Sequence, residues 1–129
     1  MPPLNARENF FEVIMATDKE MPIFTRTFDF LTWLLPLTNK FPRAHRFTVT
    51  ARLLDAAFNL RERLEEANFR SGKDRLERLA RADEELSRVR LYLRLAAKWE
   101  WVTVGQYQHA AVMVAEIGRL LGGWKKVTA

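Results

Sequence analysis

Apolar residues recur along this chain at alternating spacings of three and four, and glycine and proline gather at a few positions between these periodic segments. Such spacings place side chains on one face of an α-helix, and Gly and Pro interrupt helices. The pattern predicts four helices, from about Pro22 to Thr38, from Pro42 or Arg43 to Phe69, from Lys73 to Trp99 and from Val104 to Leu121. Because links this short join antiparallel neighbours, the predicted fold is all-α, an antiparallel up-down-up-down four-helix bundle.

The second and third predicted helices are amphipathic, with charged residues on the outer face of each. The third is the clearer case, and its apolar stripe comprises Leu79, Ala82, Leu86, Val89, Leu93 and Ala96. In the second helix we expect one apolar stripe that faces the core, formed by a first set of residues and continued by a second set. The first set is Phe47, Ala51, Leu54 and Phe58, and the second is Leu53, Ala57, Leu60, Leu64 and Ala67.

Candidate caps and breaks define the ends of the predicted helices. Thr103 precedes the fourth helix and is a suitable N-cap, since its hydroxyl can accept a bond from a free backbone N–H. Gly122 and Gly123 follow that helix, and we expect them to end it and let Trp124 fold back over the end of the bundle. Trp124 could instead be exposed for base stacking. Pro36 cannot donate to the helical ladder and should distort the first helix near its end.

The first and fourth predicted helices are apolar on nearly all sides. A helix in a monomeric bundle has a polar face, so a helix that is apolar all round is usually covered on both sides. We therefore expect a homo-oligomer whose subunits meet through these two helices. The alternative is a thick monomer core filled by Trp33 and Trp124. The expected interface residues are Phe30, Trp33, Leu37, Ala111, Ala115 and Gly118.

The length of 129 residues and the 48% hydrophobic content indicate one domain with a sizeable core. We expect the bundle at residues 22–126, an N-terminal extension at 1–21 that is either a short amphipathic turn or a flexible arm, and a C-terminal tail at 127–129. The absence of cysteine excludes disulfides and thiolate metal sites. No apolar run reaches membrane-spanning length and the N-terminus lacks a signal-peptide pattern, so we expect a cytoplasmic protein with no membrane partner.

The sequence offers little for catalysis. His45 and His109 lie in different segments, without a second ligand three or four residues away, so no metal site of the bundle type is expected. Asp55, Asp83 and Glu116 are candidates for a carboxylate site, but basic residues beside each would neutralise it as a surface ion pair. Since a glycine-rich phosphate loop is also lacking, we expect neither catalytic residues nor a cofactor, and no enzymatic activity.

Positive charge is concentrated in the middle of the chain. The net charge is +5 and the isoelectric point is about 10.0. Residues 43–98 contain 14 Lys and Arg against 9 Asp and Glu, whereas the charges elsewhere cancel. A localised basic surface attracts phosphate backbones or an acidic partner. Some arginines of the third helix should be paired with acids, as Arg81 with Glu77 and Arg88 with Glu84.

Cations with few acidic neighbours are the better candidates for contacts with phosphate, and the third helix has four of them. Arg43 and Arg46 form a cationic corner at the start of the second helix. That corner either touches nucleic acid or an acidic partner, or serves as a salt-bridge and capping cluster between helices. Lys125 and Lys126 suit a helix C-terminus electrostatically and could extend the basic surface. The candidate binding residues are therefore Arg43, Arg46, Arg75, Arg78, Arg90, Arg94, Lys125 and Lys126.

Two stretches of the chain resemble a known family. They are FDFLTWLLPLTNKFPRAHRFT, residues 28–48, and AEIGRLLGGWKK, residues 115–126. Both are similar to segments of a small four-helix-bundle family that includes the accessory variability determinant, Avd, of diversity-generating retroelements. The family also includes relatives encoded in intervening sequences of 23S ribosomal RNA genes. The likeness spans residues 22–126, and the number and lengths of the helices agree.

The resemblance implies a homopentameric barrel with a central channel and a strongly basic surface. In retroelements an Avd-like protein associates with the reverse transcriptase, binds RNA and DNA without marked sequence preference, and supports mutagenic cDNA synthesis and retrohoming without being an enzyme. The basic excess agrees with that branch, which makes reverse transcriptase and RNA or DNA the expected partners. The alternative is the intervening-sequence type, a scaffold for protein–protein interactions without a nucleic-acid role.

Overall fold

In a computed structural model that describes residues 21–129, the chain forms four α-helices and no strand over that range. Helix α1 spans Pro22–Thr38, α2 Ala51–Asn68, α3 Gly72–Lys98 and α4 Val104–Thr128. The all-α fold and the number of helices predicted from the sequence are confirmed. The extension predicted at residues 1–21 lies, apart from Met21, outside the described residues.

Contacts at the two ends of the bundle show that consecutive helices are antiparallel. At one end, Trp124 near the end of α4 contacts both Phe24 at the start of α1 and Arg75 at the start of α3. At the opposite end, the α1–α2 link meets the α3–α4 link, where the rings of Phe41 and Trp101 are 5.5 Å apart. The helices therefore run up, down, up and down, each packed against its neighbour in sequence, and α1 packs against α4.

One apolar cluster runs through the bundle. The stripe predicted for the third helix is confirmed, because all of its members are buried: Leu79, Ala82, Leu86, Val89, Leu93 and Ala96. The second set predicted for α2 is also buried and consists of Leu53, Ala57, Leu60, Leu64 and Ala67. Full burial of a leucine side chain stabilises the fold by about 1.5–3 kcal/mol, so these stripes dominate the cohesion of the helices.

The chain enters α2 through two irregular turns, a 3₁₀ turn at Arg43–His45 and a π turn at Arg46–Thr50. The first set predicted for the second helix is confirmed only in part, because Phe47 and Phe58 are exposed whereas Leu54 is half-buried against the core. Phe47 lies in the π turn and is 87% exposed, since the wider turn breaks the α-helical phase that would bring it inward. Leu54 and Phe58 each follow a buried residue by one position, a rotation of about 100°, and lie at the outer edge of the buried stripe.

A tight turn ends α3. The Trp101 N–H donates to the Ala96 carbonyl at 2.8 Å, and the Glu100 N–H donates to the Ala97 carbonyl at 3.1 Å. These two bonds are those of a Schellman motif. Glu100 has a φ of 61°, the left-handed conformation that this motif usually fills with glycine. The turn therefore holds a non-glycine residue in a conformation that its Cβ disfavours.

Helix α4 begins with a capping box. The Thr103 hydroxyl accepts a hydrogen bond from the Gln106 N–H at 3.0 Å, and the Gln106 side chain accepts one from the Thr103 N–H at 2.9 Å. Two backbone donors that the first turn of a helix leaves free are thereby satisfied. The N-cap predicted at Thr103 is confirmed.

The C-terminal end of α4 corrects a prediction. We expect the two glycines to end the helix, but α4 continues through Gly122 and Gly123 to Thr128. The Trp124 ring is buried and packs edge-on against Phe24, with 5.9 Å between ring centroids. Burial of this large ring outweighs the cost of about 1 kcal/mol that each helical glycine carries relative to alanine. Trp124 is thus a core residue rather than an exposed stacking surface, and most of the expected tail is helical.

Side chains at this end connect all four helices in a closed set of contacts, which we call the end ring. Arg61 of α2 donates to the Phe24 carbonyl of α1, and its guanidinium lies 4.8 Å from the Phe24 ring centre. Phe24 contacts Trp124 of α4, whose ring centre lies 5.6 Å from the guanidinium of Arg75. Arg75 of α3 closes the set by donating to the Ala67 carbonyl of α2 at 3.0 Å. The Ala67 carbonyl lies in the last turn of α2 and also accepts a hydrogen bond from the Arg70 N–H at 3.1 Å.

Replacing Gly122 with alanine tests the corrected end of α4. A Cβ there meets nothing within 4 Å, so Gly122→Ala should raise the free energy of unfolding by about 0.5–1 kcal/mol. Gly72 has equally open surroundings but a φ of 57°, so the matched Gly72→Ala change should lower the free energy of unfolding by about 1 kcal/mol. Urea unfolding measures both. If the two substitutions destabilise alike, α4 ends before residue 122.

Trp124→Ala tests the end ring. Removing the ring leaves a cavity between α1, α3 and α4, so the free energy of unfolding should fall by about 3–5 kcal/mol. Phe69→Ala is the control, because Phe69 is 84% exposed at the α2–α3 link and its loss should change stability by at most about 0.5 kcal/mol. Chemical denaturation followed by circular dichroism gives both values. A loss below 1 kcal/mol for Trp124→Ala would contradict the role of this ring.

Candidate functional site

Three of the predicted binding residues make contacts within the bundle. Arg75 belongs to the end ring. Arg78 Nη1 lies 3.3 Å from Glu66 Oε2, and Lys125 Nζ lies 3.2 Å from Asp83 Oδ2. The prediction for Arg75 and Arg78 considered only acidic residues along their own helix, whereas the groups that contact both side chains lie on other helices.

Ion pairs along α3 follow the predicted type, with one change of partner. Arg81 pairs with Glu77 at 2.7 Å, as predicted. Arg88 pairs with Glu85 at 2.7 Å rather than with Glu84. These arginines have large exposed fractions, and such surface pairs contribute about 0–1 kcal/mol each. Their main consequence is that Arg81 and Arg88 already have a carboxylate beside them.

Arg90, Arg94 and Lys98 form a row along α3, which we call the cation row. They are four residues apart, so they share one face of the helix, with successive residues about 6 Å apart along its axis. All three are exposed, and none pairs with an acidic residue among residues 21–129. Like charges at this spacing destabilise a helix by about 0.2–0.5 kcal/mol per pair. The helix dipole favours Lys98, which lies in the last turn of α3, but helix stability does not account for Arg90 and Arg94.

The cation row borders a shallow groove between α3 and α4 with a volume of about 590 Å³. Leu95 and Tyr107 line it, and a continuation of the groove reaches Ala111 and Ala115 beside Arg94. This surface therefore carries two residues predicted to meet another subunit, Ala111 and Ala115. It also carries two residues predicted to bind phosphate, Arg90 and Arg94. A subunit that covered this surface would exclude nucleic acid from it, so the predicted subunit contact and the predicted phosphate contact cannot both occupy it.

A second group of cations lies on the link between α1 and α2. Arg43 and Arg46 are exposed on the irregular turns, and Lys40 is exposed just before them. In the part of the chain that the structure describes, none of these three makes an ion pair. His45, between the two arginines, packs on Trp101 with 4.8 Å between ring centroids. The link therefore presents cations to solvent above an aromatic base, and no ion pair among residues 21–129 supports the alternative role as a salt-bridge cluster.

Trp99 is an exposed residue that the spacing of apolar residues does not predict. It follows Lys98, the last member of the cation row, and is 56% exposed. Its ring centroid lies 5.7 Å from that of Trp101 and 5.7 Å from that of His45. The sequence signal is weak, since Trp99 lies only three residues after Ala96 and so continues the spacing of the buried stripe. Its exposure follows from the turn that begins there.

Another apolar surface lies on the other side of the same link. A groove of about 470 Å³ is lined by Phe47 and Phe58 together with Arg43 and Arg46. Thr50, at the end of the π turn, also lines this groove, and within the described residues its buried hydroxyl has no hydrogen-bond partner. This end of the bundle thus combines exposed aromatic rings with cations on both sides of the link.

The predicted interface residues separate into buried and accessible groups. Phe30 and Leu37 are 1% and 8% exposed and belong to the core of one copy, so the prediction is wrong for these two. Trp33 is half-buried against Phe30 and His109. On α4, Ala111 and Ala115 are exposed, whereas Gly118 is half-buried beneath the Arg90 side chain. Exposed apolar residues of α1 and α4 that the prediction omits include Phe28, Leu35 and Val112.

Glu116 has the basic neighbour expected from the sequence. Its carboxylate accepts hydrogen bonds from Arg119 at 2.7 and 3.0 Å, and these bonds hold the pKa of Glu116 below its usual value. The same bonds raise the pKa of Arg119 above its usual value. Because this carboxyl stays ionised and paired at neutral pH, it is unsuited to donate a proton as a general acid.

Other chemistry is sparse over the described range. Among residues 21–129, no group of three or more His, Cys, Asp or Glu could hold a metal ion. None of the helices at these positions is long and apolar enough to cross a membrane. The surface features that remain are the cation row, the cations of the α1–α2 link and the exposed aromatic rings beside them.

Comparison with known proteins identifies the family. The crystal structure of a protein of unknown function from the S23 ribosomal protein family of Bacteroides thetaiotaomicron is similar, with a TM-score of 0.72 and 19% identity, and the match covers 81% of this chain and 95% of that one. At this identity the likeness shows a shared fold alone. No curated protein matches the sequence. The bAvd-like family model matches residues 21–128. As the sequence resemblance predicted, the chain belongs to the bAvd-like family.

Proposed function

We propose that this protein is a non-enzymatic accessory protein of a diversity-generating retroelement. In this proposal it is an oligomeric basic adaptor in the cytoplasm that binds reverse transcriptase and template RNA or DNA during mutagenic cDNA synthesis and retrohoming. Membership of the bAvd-like family supports the retroelement context. The single observation that carries the nucleic-acid role is the cation row, three exposed like charges on one helix face without a carboxylate partner over residues 21–129.

The binding mechanism is electrostatic. Each cation that neutralises a phosphate releases a condensed counterion, so affinity depends on salt and is largely independent of sequence. Arginine adds a planar fork that can bond two phosphate oxygens at once, and two of the three members of the row are arginines. Reverse transcriptase is then brought to the template because the same particle holds both.

Assembly of several copies would multiply the number of contacts with one nucleic-acid strand. In the proposed homo-oligomer, a pentamer by family resemblance, each copy contributes its own cation row. Several weak sites that engage one strand together raise the apparent affinity well above that of a single site. Exposed apolar residues on α1 and α4, Phe28 and Val112 among them, support association through these helices.

Neutralising the cation row tests the nucleic-acid role. The triple variant Arg90→Gln, Arg94→Gln and Lys98→Gln should weaken binding to a single-stranded RNA. It should also reduce the slope of log affinity against log salt by about 2 per bound subunit, since three phosphate contacts are lost. Fluorescence anisotropy over 50–300 mM salt, about the range in which such binding weakens, measures the slope.

The matched control removes the same charge elsewhere. Arg81→Gln, Arg88→Gln and Arg119→Gln change three arginines that already pair with carboxylates, so the salt slope should stay close to that of the wild type. An equal loss in both triple variants would mean that net charge rather than the row governs binding. If the unaltered protein binds no RNA or DNA at low salt, the intervening-sequence type of scaffold replaces the proposed function. Co-purification with the reverse transcriptase after nuclease treatment tests the protein contact separately.

Val112→Asp tests the proposed assembly. Val112 is 69% exposed on α4, so a charge there should leave the fold intact but destabilise an apolar subunit contact. Sedimentation velocity should find a multiple of 15.1 kDa for the unaltered protein and mainly 15.1 kDa particles for the variant. Phe69→Asp, at the α2–α3 link, should leave the assembly unchanged. Single copies of the unaltered protein at micromolar concentration would contradict a homo-oligomer.

A further inference from the structure

We propose that Trp99 stacks on an unpaired base and gives the nucleic-acid surface of this protein a preference for single strands. The inference rests on the proposed nucleic-acid role and adds the residue and the substrate class. The site consists of the exposed Trp99 ring, the cation row that leads to it along α3, and the cations Arg43 and Arg46 on the facing link.

The Trp99 ring is exposed but held in place. It packs edge-on against Trp101 at an interplanar angle of 83° and against His45 at 68°. Trp101 in turn lies against Phe41, which is buried at the end of the core. A ring supported in this way loses little side-chain freedom when a ligand covers it, so more of the stacking energy remains as affinity.

The backbone also fixes the ring. Trp99 is the C-cap residue of α3, and the next residue, Glu100, has a φ of 61°. A non-glycine residue in this conformation persists only where the surrounding structure determines it. Here the hydrogen bond from the Trp101 N–H to the Ala96 carbonyl closes the turn around it. The turn therefore places one indole on each side of Glu100: Trp101 is half-buried and Trp99 is exposed.

The charges around Trp99 favour a polyanion over an apolar protein partner. Lys98 directly precedes the ring, and the cation row extends from it along α3. Arg43 and Arg46 flank His45, whose ring touches Trp99. The acidic residue of the turn is Glu100. A positively charged path that ends at an aromatic ring is the composition of single-strand binding platforms, in which phosphates follow the cations and bases stack on the ring.

Base pairing in the nucleic acid controls whether a base can reach the Trp99 ring. In a duplex both faces of an interior base are covered by its neighbours, so a surface tryptophan reaches only the end of the helix. In a single strand each base can turn outward, and every base offers a π-face, so stacking discriminates by strandedness rather than by sequence. The cation row alone would bind both forms, and Trp99 adds affinity for the unpaired form only.

Three probes of one length separate the contributions of charge and stacking. They are a single-stranded 12-nucleotide RNA, the same RNA annealed to its complement, and an abasic strand with the same number of phosphates. Trp99→Ala should weaken binding of the single strand roughly five- to a hundredfold, the effect of losing one stacked base. It should change the affinities for the duplex and for the abasic strand less than twofold. Trp99→Phe should recover most of the affinity, because a phenyl ring still stacks.

Phe69→Ala is the matched control, since it removes an exposed ring at the opposite end of the bundle and should leave all three affinities unchanged. If Trp99→Ala binds the single strand like the unaltered protein, the stacking role is wrong while the proposed function stands. If the unaltered protein binds none of the three probes, the proposed function fails as well. If Trp99→Ala weakens all three probes equally and lowers the sedimenting mass, Trp99 is a subunit contact and the inference is overturned.

Discussion

The closure of the bundle depends on contact between its first and last helices, because no link joins them. The links hold α1 to α2, α2 to α3 and α3 to α4, so α4 is tied to α1 only through side chains. At one end this contact is the packing of Trp124 against Phe24. Farther along, Trp33 packs against His109. The end ring adds Arg75, so the closure also secures the start of α3. An apolar core can therefore be enclosed by four helices even though the chain connects only three pairs of them.

The fold was predictable where burial along one helix decides the structure. The stripe of α3 has a regular spacing, and its members are buried as expected. The sequence misled where contacts between distant segments outweigh a local signal. Gly122 and Gly123 resemble a helix stop, yet packing of Trp124 carries the helix past them. Phe47 has the spacing of a core residue, but the π turn before α2 rotates it outward. Neither effect is visible in a single sequence, because both depend on tertiary packing or turn geometry rather than on spacing.

At the candidate site, too, the spacing of residues along one helix predicts only those features that do not depend on other helices. Arg90 and Arg94 could be singled out because acidic residues are missing one turn away on their own helix, and both are exposed. For Arg78, the carboxylate that forms the ion pair belongs to Glu66 on α2, and the spacing of acidic residues along α3 does not show it. The spacing of residues also does not show which tryptophans are exposed, because the exposure of each ring depends on which helices meet around it. Trp124 is enclosed by three helices, whereas Trp99 sits on a turn at the end of the bundle.

The glycine pair within α4 also affects how this end of the molecule opens. Residues 122 to 128 have weak intrinsic helix propensity at the glycines and are held chiefly by one docked ring. Amide hydrogens in such a segment exchange through local opening, at a lower free energy than global unfolding. When the segment opens, the Phe24 ring and the Arg75 guanidinium lose a covering side chain together. A partner that binds the C-terminus and keeps Trp124 docked would therefore stabilise the start of two other helices at the same time.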